Sequence, residues 1–244
     1  MEKQRQDREM QIAREIQQSL FPRGCPAVPG FEVAAESESC YQVGGDHYDF
    51  IPLPEGRLAL AVADVSGKGA PASILMASVH ASLQALAGAA SPAVVLERLN
   101  RFLFASTQAN KFVTLFYAEL DTRARRLSYV NAGHVPPFRV RGRDGEIERL
   151  LAGGPALGLF DEATFEVGDL ALDSGDVVGM VTDGVTEALS PDDREFGDER
   201  ASSALRTARG ETAGGLVRAL VQTVDAWTGG PCSDDLTALI LKAQ

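Results

Sequence analysis

The stretch RLALAVADVSGKGAPASILMASVHASLQAL, residues 57–86, decides the fold. Its first part, RLALAVAD, is a short apolar run closed by an acid, which reads as a strand ending at Asp64. Gly67 and Gly69 mark a turn, and from Pro71 the block PASILMASVHASLQALAG reads as a helix. A strand, a tight turn and a helix in succession hold the Asp64 carboxylate rigidly at the edge of a core, where it faces a cleft.

Outward from this unit the same alternation recurs. FEVAAES (31–37) and YDFIPLP (48–54) precede it as strands. A second helix follows in SPAVVLERLNRFLFAST, with Ser91 as N-cap and Pro92 at the first helical position. KFVTLFYAELD, RLSYVNAG, FRVRG, DVVGMVTD and DLTALILKA then read as strands, with late helices around ERASSALRTA and ETAGGLVRALVQTVDAW. Strands joined by short turns and helices arriving in pairs indicate an α+β fold with a largely antiparallel sheet, and no internal repeat is visible. Residues 3–20 form one more helix: Ile12, Ile16 and Leu20 recur every four residues and Pro22 stops it. That divides the chain into a linker or regulatory helix, 1–22, and a domain, 23–244. The narrow apolar stripe suits either a helix packed on its own domain or a coiled-coil-like arm for dimerisation or signal reception.

The whole chain has 244 residues, 45% hydrophobic and 23% charged, which is ordinary globular usage with room for a sizeable core. A formal net charge of −11 argues against a nucleic-acid partner, which needs a clustered positive surface. No run of about 18 apolar residues is present, and the polar start MEKQRQDREMQIAREIQQ is no secretory signal, so no membrane partner is expected. Cys25, Cys40 and Cys232 are widely spaced and form no C-x-x-C pair. They indicate neither a disulfide framework nor a zinc knuckle, and the reduced cytoplasm is the simplest compartment.

Four acids stand at the ends of apolar strands. Asp64 ends LALAVAD, Asp183 ends VVGMVTD, Asp234 precedes DLTALIL, and Asp46 in VGGDHYDF precedes YDFIPL. One Asp beside Gly is a common turn residue. Four convergent carboxylates are another matter, because like charges a few ångströms apart raise each other's pKa and cannot share a site as bare anions. Divalent cations resolve the conflict, and oxygen ligands without a His or Cys cluster favour Mg²⁺ or Mn²⁺. Two such ions about 3.5–4 Å apart can activate water for in-line attack on phosphorus.

Taken in order, VGGDHYDF, ADVSGKG, FVTLFYAELD, YVNAGHVPP, GGPALGL, VTDGVTEA and SDDLTALIL resemble the successive motifs of the metal-dependent protein phosphatase (protein phosphatase 2C-like) family. They are most similar to the bacterial branch found in sporulation stage II protein E and in activators of the general stress sigma factor. The resemblance runs from about residue 30 to the C-terminus. It implies a four-layer α-β-β-α sandwich, two central antiparallel sheets flanked by helix pairs, with a binuclear Mn²⁺ or Mg²⁺ site at one end. Carried over residue by residue, it makes Asp46, Asp64, Asp183, Asp234 and the backbone carbonyl of Val65 metal ligands, and a metal-bridging water held by Asp46 and Asp64 the nucleophile. Glu187 falls where a further acid can hold a third ion. The substrates implied are phosphoserine or phosphothreonine in an anti-sigma-factor antagonist, with an upstream sensor or activator acting through the N-terminal helix and a homodimer as a possible assembly.

The sequence departs from the family's eukaryotic pattern at two places. Ser66 replaces a histidine thought to protonate the leaving group, and no arginine lies just before Asp46. Lys68 does not make a nucleotide loop, since Val62 and Gly69 stand where G-x-x-x-x-G-K-[ST] needs Gly and Ser or Thr. Gly67, Lys68 and Gly69 instead precede a helix N-terminus and are candidates for phosphate contact. His134, before Val-Pro-Pro, reads as a turn residue, His47 as pointing to the face opposite Asp46, outward, with Asp49 supporting, and His80 as core. GGPALGL is either a tight turn or a loop bordering the cleft. Two rival functions remain open at this stage: a catalytically silent partner-binding module, and a two-metal phosphatase for small phosphate esters. A haloacid-dehalogenase mechanism is disfavoured, because Asp64-Val65-Ser66 lacks a second aspartate.

Overall fold

The computed structural model describes residues 2–107, 111–230 and 234–244. Helix α1 (Glu2–Leu20) leads into β1 (Phe31–Glu38), β2 (His47–Pro52) and β3 (Arg57–Val65), followed by the paired helices α2 (Ala70–Leu86) and α3 (Pro92–Ser106). Strands β4 (Val113–Asp121), β5 (Arg126–Ala132), β6 (Phe138–Val140), β7 (Ile147–Arg149), β8 (Gly153–Gly154), β9 (Gly168–Ala171) and β10 (Val177–Val181) come next. The chain closes with α4 (Asp183–Thr186), α5 (Gly197–Thr207), α6 (Ala213–Thr228) and β11 (Leu236–Ala243). One sheet has the order β1-β11-β10-β6-β7 and the other β2-β3-β4-β5-β8, with β9 also on β5.

Strand alternation explains the layers. In β3, Leu58, Leu60 and Val62 point between the sheets, where they meet Phe116, Met180, Leu239 and Leu241. Ala59, Ala61, Ala63 and Val65 point the other way, against Met76, Val79 and Leu83 of α2 and Leu96, Leu99 and Leu103 of α3. Small alanines on the helix side let the two helices seat close to the sheet. The second sheet repeats the device: Val177, Val181, Ala238 and Ile240 pack on Leu205 of α5 and on Leu216 and Leu220 of α6. Each fully buried Leu contributes about 1.5–3 kcal/mol, so three apolar layers hold the α-β-β-α sandwich expected from the motifs.

The differences from expectation lie in short elements. β7, β8, β9 and α4 have 3, 2, 4 and 4 residues, too few to show a period. β8 is the exception to antiparallel pairing: Asn131 of β5 runs parallel to Gly153. GGPALGL is thereby stitched into the sheet, since Leu157 and Val113 exchange backbone hydrogen bonds of 2.8 and 3.0 Å. Ser91 caps α3 by backbone position alone, with no side-chain bond, whereas Thr212 accepts from Gly215 N at the start of α6.

The reading of the cysteines as unpaired is corrected at Cys40, which is disulfide-bonded, while Cys25 is free. Cys232 lies outside the described residues. Among the described residues no helix is long and apolar enough to cross a membrane.

Candidate metal centre

Antiparallel pairing gathers the acids. The start of β2 lies beside the end of β3, with His47 opposite Ala63, so Asp46 and Asp64 meet at one end of their sheet. The end of β10 lies beside the start of β11, with Val181 opposite Ala238, which places Asp183 and Asp234 at the end of the other. The two ends are joined directly: the Thr182 hydroxyl donates to Asp46 Oδ2 at 2.7 Å and accepts from Thr237 N at 3.1 Å.

The loop before Asp46 is held from two sides. Asp235, itself buried, accepts from Cys40 N and Gly45 N, each at 2.9 Å. Gln17 of α1 donates to Gly44 O at 2.7 Å and accepts from Gly44 N at 3.1 Å. Space explains the two glycines: a Cβ on Gly44 would lie 2.1 Å from Asp235 Oδ2, and one on Gly45 would lie 2.7 Å from the Val65 carbonyl. The close approach they permit is thus to Asp235 and to the carbonyl of Val65.

Electrostatics confirm that the acids crowd one another. Burial, then the charge of Asp64, holds the Asp46 carboxyl well above its ordinary range, against the opposing donation from Thr182. Asp64 is pushed up to about 7 by burial and by Asp183, Asp234 and Asp235. Asp183 rises through burial and Asp234, and Glu187 through burial and Asp183. Lys68 Nζ lies 2.9 Å from Asp234 Oδ2. A cluster of hard oxygens whose charged forms are this disfavoured fits divalent cations, which would favour the ionised state.

Asp46 is close enough to Asp64, and Asp64 to Asp183 and Asp234, for each to raise the next, the Val65 carbonyl faces Gly45, and exposed Glu187 lies at the rim; among the described residues no three of these carboxylates lie within 4.8 Å of one another. Gly67 (φ 96°), Lys68 and Gly69 (φ 74°) form the turn into α2, and Gly69 caps that helix without a side-chain bond. Ser66 is tied to the sheet edge, its N donating to Phe112 O and its hydroxyl accepting from Phe112 N, each at 3.0 Å. His134 is buried, with Asn131 bracketing its backbone, its Nδ1 2.9 Å from the Thr114 hydroxyl and its pKa lowered to about 4 by burial. The outward placement of His47 is corrected: it is fully buried, packed under α2 with its Nε2 3.2 Å from His80 Nδ1.

Sequence reasoning missed Thr182, Asp235, Lys111 and Gln17. Thr182 and Asp235 sit inside the quoted motifs next to Asp183 and Asp234, so adjacency was a usable signal. Lys111, whose Nζ donates to Ser66 O at 3.1 Å, and Gln17, on the polar face of α1, carry none.

Comparison with known proteins places the family and the fold. Residues 54–244 match the family model described as Stage II sporulation protein E (SpoIIE). The chain is 33% identical over 180 residues to the phosphoserine phosphatase RsbU of Bacillus subtilis (strain 168), covering 73% of this chain and 53% of that protein. It spans about half or less of the length of the curated relatives it matches first. The SiaA-PP2C domain of Pseudomonas aeruginosa superposes with a TM-score of 0.87 at 20% identity, covering 100% of this chain and 99% of that one. The catalytic domain of the serine threonine protein phosphatase PstP, solved with 2 manganese ions, gives 0.64 at 18% identity, covering 87% and 97%.

Proposed function

Because this chain belongs to the Stage II sporulation protein E (SpoIIE) family, we propose that it is a metal-dependent phosphoprotein phosphatase that hydrolyses phosphoserine or phosphothreonine. One observation carries the reading: carboxylates at the ends of two sheets lie near enough, and buried enough, to hold Asp46 and Asp64 above their ordinary ionisation, an arrangement that cations would stabilise in charged form.

Asp46, Asp64, Asp183, Asp234 and the Val65 carbonyl would hold two Mn²⁺ or Mg²⁺ ions, with Glu187 available to a third. When bound, a cation pair supplies neutralisation of phosphate charge and acidification of water for in-line attack. The chain's own residues do the rest. Thr182 orients Asp46, Asp235 fixes the loop that presents it, and Lys68, Lys111 and the turn Gly67–Gly69 attract the phosphate. His47 and His80 pair with each other, His134 is buried against Thr114 and the Ser66 hydroxyl accepts from Phe112 N, so no side chain is assigned as proton donor to the leaving seryl oxygen.

The substrate fitting this family is a phosphorylated anti-sigma-factor antagonist, a reading supported by the likeness to RsbU, named a phosphoserine phosphatase. Residues 1–22 act as a regulatory segment. Its buried end grips Gly44 through Gln17, while Ile12 and Ile16 stay 49% and 60% exposed, open to an upstream activator or a second copy. Signals entering α1 would then reach the Asp46 loop directly.

The test is incubation with a phosphorylated antagonist protein encoded beside the gene, with and without Mn²⁺, against a small phosphate ester. Cation-dependent release of phosphate, faster from the protein, is expected. Faster turnover of the small ester would assign it to small-molecule chemistry, and no turnover of either would leave a binding module.

A further inference from the structure

One turn of strand away from the acidic cluster, on the opposite face of β2, a second group of ligand-type side chains converges. His47 Nε2, Asp49 Oδ2 and His80 Nδ1 all lie within 4.8 Å of one another, the one such group of three among the described residues. His47 and Asp49 share a face of β2 because they are two residues apart. His80 comes down on them from α2, and Gln84, one helical turn further on, donates to Asp49 Oδ2 at 2.8 Å. Here the acid is accompanied by imidazole, which changes the metal the site prefers.

We propose that His47, Asp49 and His80 form a second, non-catalytic metal site selective for a borderline transition metal, Zn²⁺ by donor set. The spacing fits. A tetrahedral Zn²⁺ with bonds of roughly 2.0–2.2 Å separates its ligand atoms by roughly 3.3 Å. The three observed separations are 3.2 Å between the imidazoles, 3.1 Å from His80 to Asp49 and 3.8 Å from His47 to Asp49. Two nitrogens and one carboxylate oxygen suit zinc, whereas Mg²⁺ demands oxygen.

The surroundings point the same way. Phe50 N donates to Asp49 Oδ1 at 2.8 Å, the kind of outer hydrogen bond that orients a ligating carboxylate and leaves Oδ2 directed at the cluster. His47 Nδ1 is buried without a partner, so the whole polar function of this ring runs through Nε2 into the group. Burying an imidazole for one shared hydrogen bond costs free energy that a coordination bond offsets. Phe21 covers the His47 ring at 5.3 Å, while the His80 side chain is 17% exposed and gives the ion an entry path and a fourth position. A cation there would cross-link β2, which begins just after Asp46, to α2, which follows Asp64.

This inference is independent of the phosphatase reading, and its test keeps the two apart. The full chain is stripped with chelator, given excess Mg²⁺ to saturate the acidic cluster, and titrated with Zn²⁺; a parallel sample receives Co²⁺. One Zn²⁺ per chain, a raised thermal midpoint and the intense visible absorption of tetrahedral Co²⁺ are expected. His80→Ala should weaken Zn²⁺ by more than roughly 100-fold, exceeding the loss of an outer-shell partner, and remove the thermal gain. Asp183→Asn should leave both intact. Absence of the Co²⁺ signature in the wild-type chain, unchanged Zn²⁺ affinity in His80→Ala, or loss of Zn²⁺ in Asp183→Asn would each overturn the proposal.

Discussion

Asp46 and Asp49 stand at the same edge of the same sheet, both almost completely buried, and titrate in opposite directions. Burial and the neighbouring Asp64 charge hold Asp46 well above its ordinary range. Burial pushes Asp49 up as well, but the imidazoles of His47 and His80 together with donation from Gln84 outweigh it and hold that carboxyl well below the usual range. Desolvation is therefore common to both sites and the partners decide. The acidic cluster is a set of charges waiting for a counter-ion, whereas the histidine cluster supplies donors of its own. On that difference rests the proposed separation of a hard-cation site from a borderline one.

Breaking the acidic side should have the largest effect. Asp183→Asn removes a proposed ligand from the second sheet and is expected to weaken Mn²⁺ binding by more than the roughly 100-fold that outer-shell partners cost, read by calorimetry. Thr182→Val leaves every ligand in place but takes a donor from Asp46 and strands Thr237 N, so a fall in Mn²⁺ affinity of roughly 10–100-fold is expected in the same titration. On the other side, Asp49→Asn exchanges an ionised acceptor for a neutral one at 3% exposure, and urea denaturation at pH 7 should show a loss of about 1–3 kcal/mol.

Stability against pH sharpens the contrast further. In the chelated protein Asp64 titrates at about 7 rather than 3.8, so its contribution is present in full below pH 3.8 and is lost as pH rises through 7. Asp49, with a lowered value, contributes above 3.8 and loses that contribution as pH falls. Thermal melts of the chelated chain should accordingly decline from pH 5 to 8, and Asp64→Asn should make that decline shallower, Asp46 and Asp183 supplying the remainder, while Asp49→Asn leaves it in place. The smallest effect on cation binding belongs to Gln17→Ala. Removing two hydrogen bonds to Gly44 should cost roughly 1–3 kcal/mol, with a few-fold fall in Mn²⁺ affinity if α1 communicates with the Asp46 loop. Unchanged affinity would confine α1 to a packing role.

Much of this arrangement was legible in the sequence. The apolar runs ending in Asp64 and Asp183 revealed strands and the acids at their ends, because strand period and turn chemistry are local properties, whereas the division into two sheets followed only from the resemblance to the phosphatase family. β7, β8 and β9 were not legible, since segments of two to four residues show no period and form only where a neighbouring edge accepts them. Asp49 and His80 were read separately, as a supporting acid and a core residue, because their meeting depends on how α2 crosses β2. Gln17 escaped for the same reason: nothing local marks one polar side chain on a polar helix face as the one that turns inward. The disulfide at Cys40 likewise requires spatial proximity that spacing along the chain does not encode.

The central claim, that the acidic cluster works as a cation-dependent phosphatase centre, is tested most directly by phosphate release from a phosphoserine protein. Three samples are compared: the chelated chain, the same chain after Mn²⁺ is restored, and Asp64→Asn with Mn²⁺. Activity in the second sample alone is predicted. Undiminished release by the chelated chain, or by Asp64→Asn, would contradict the account.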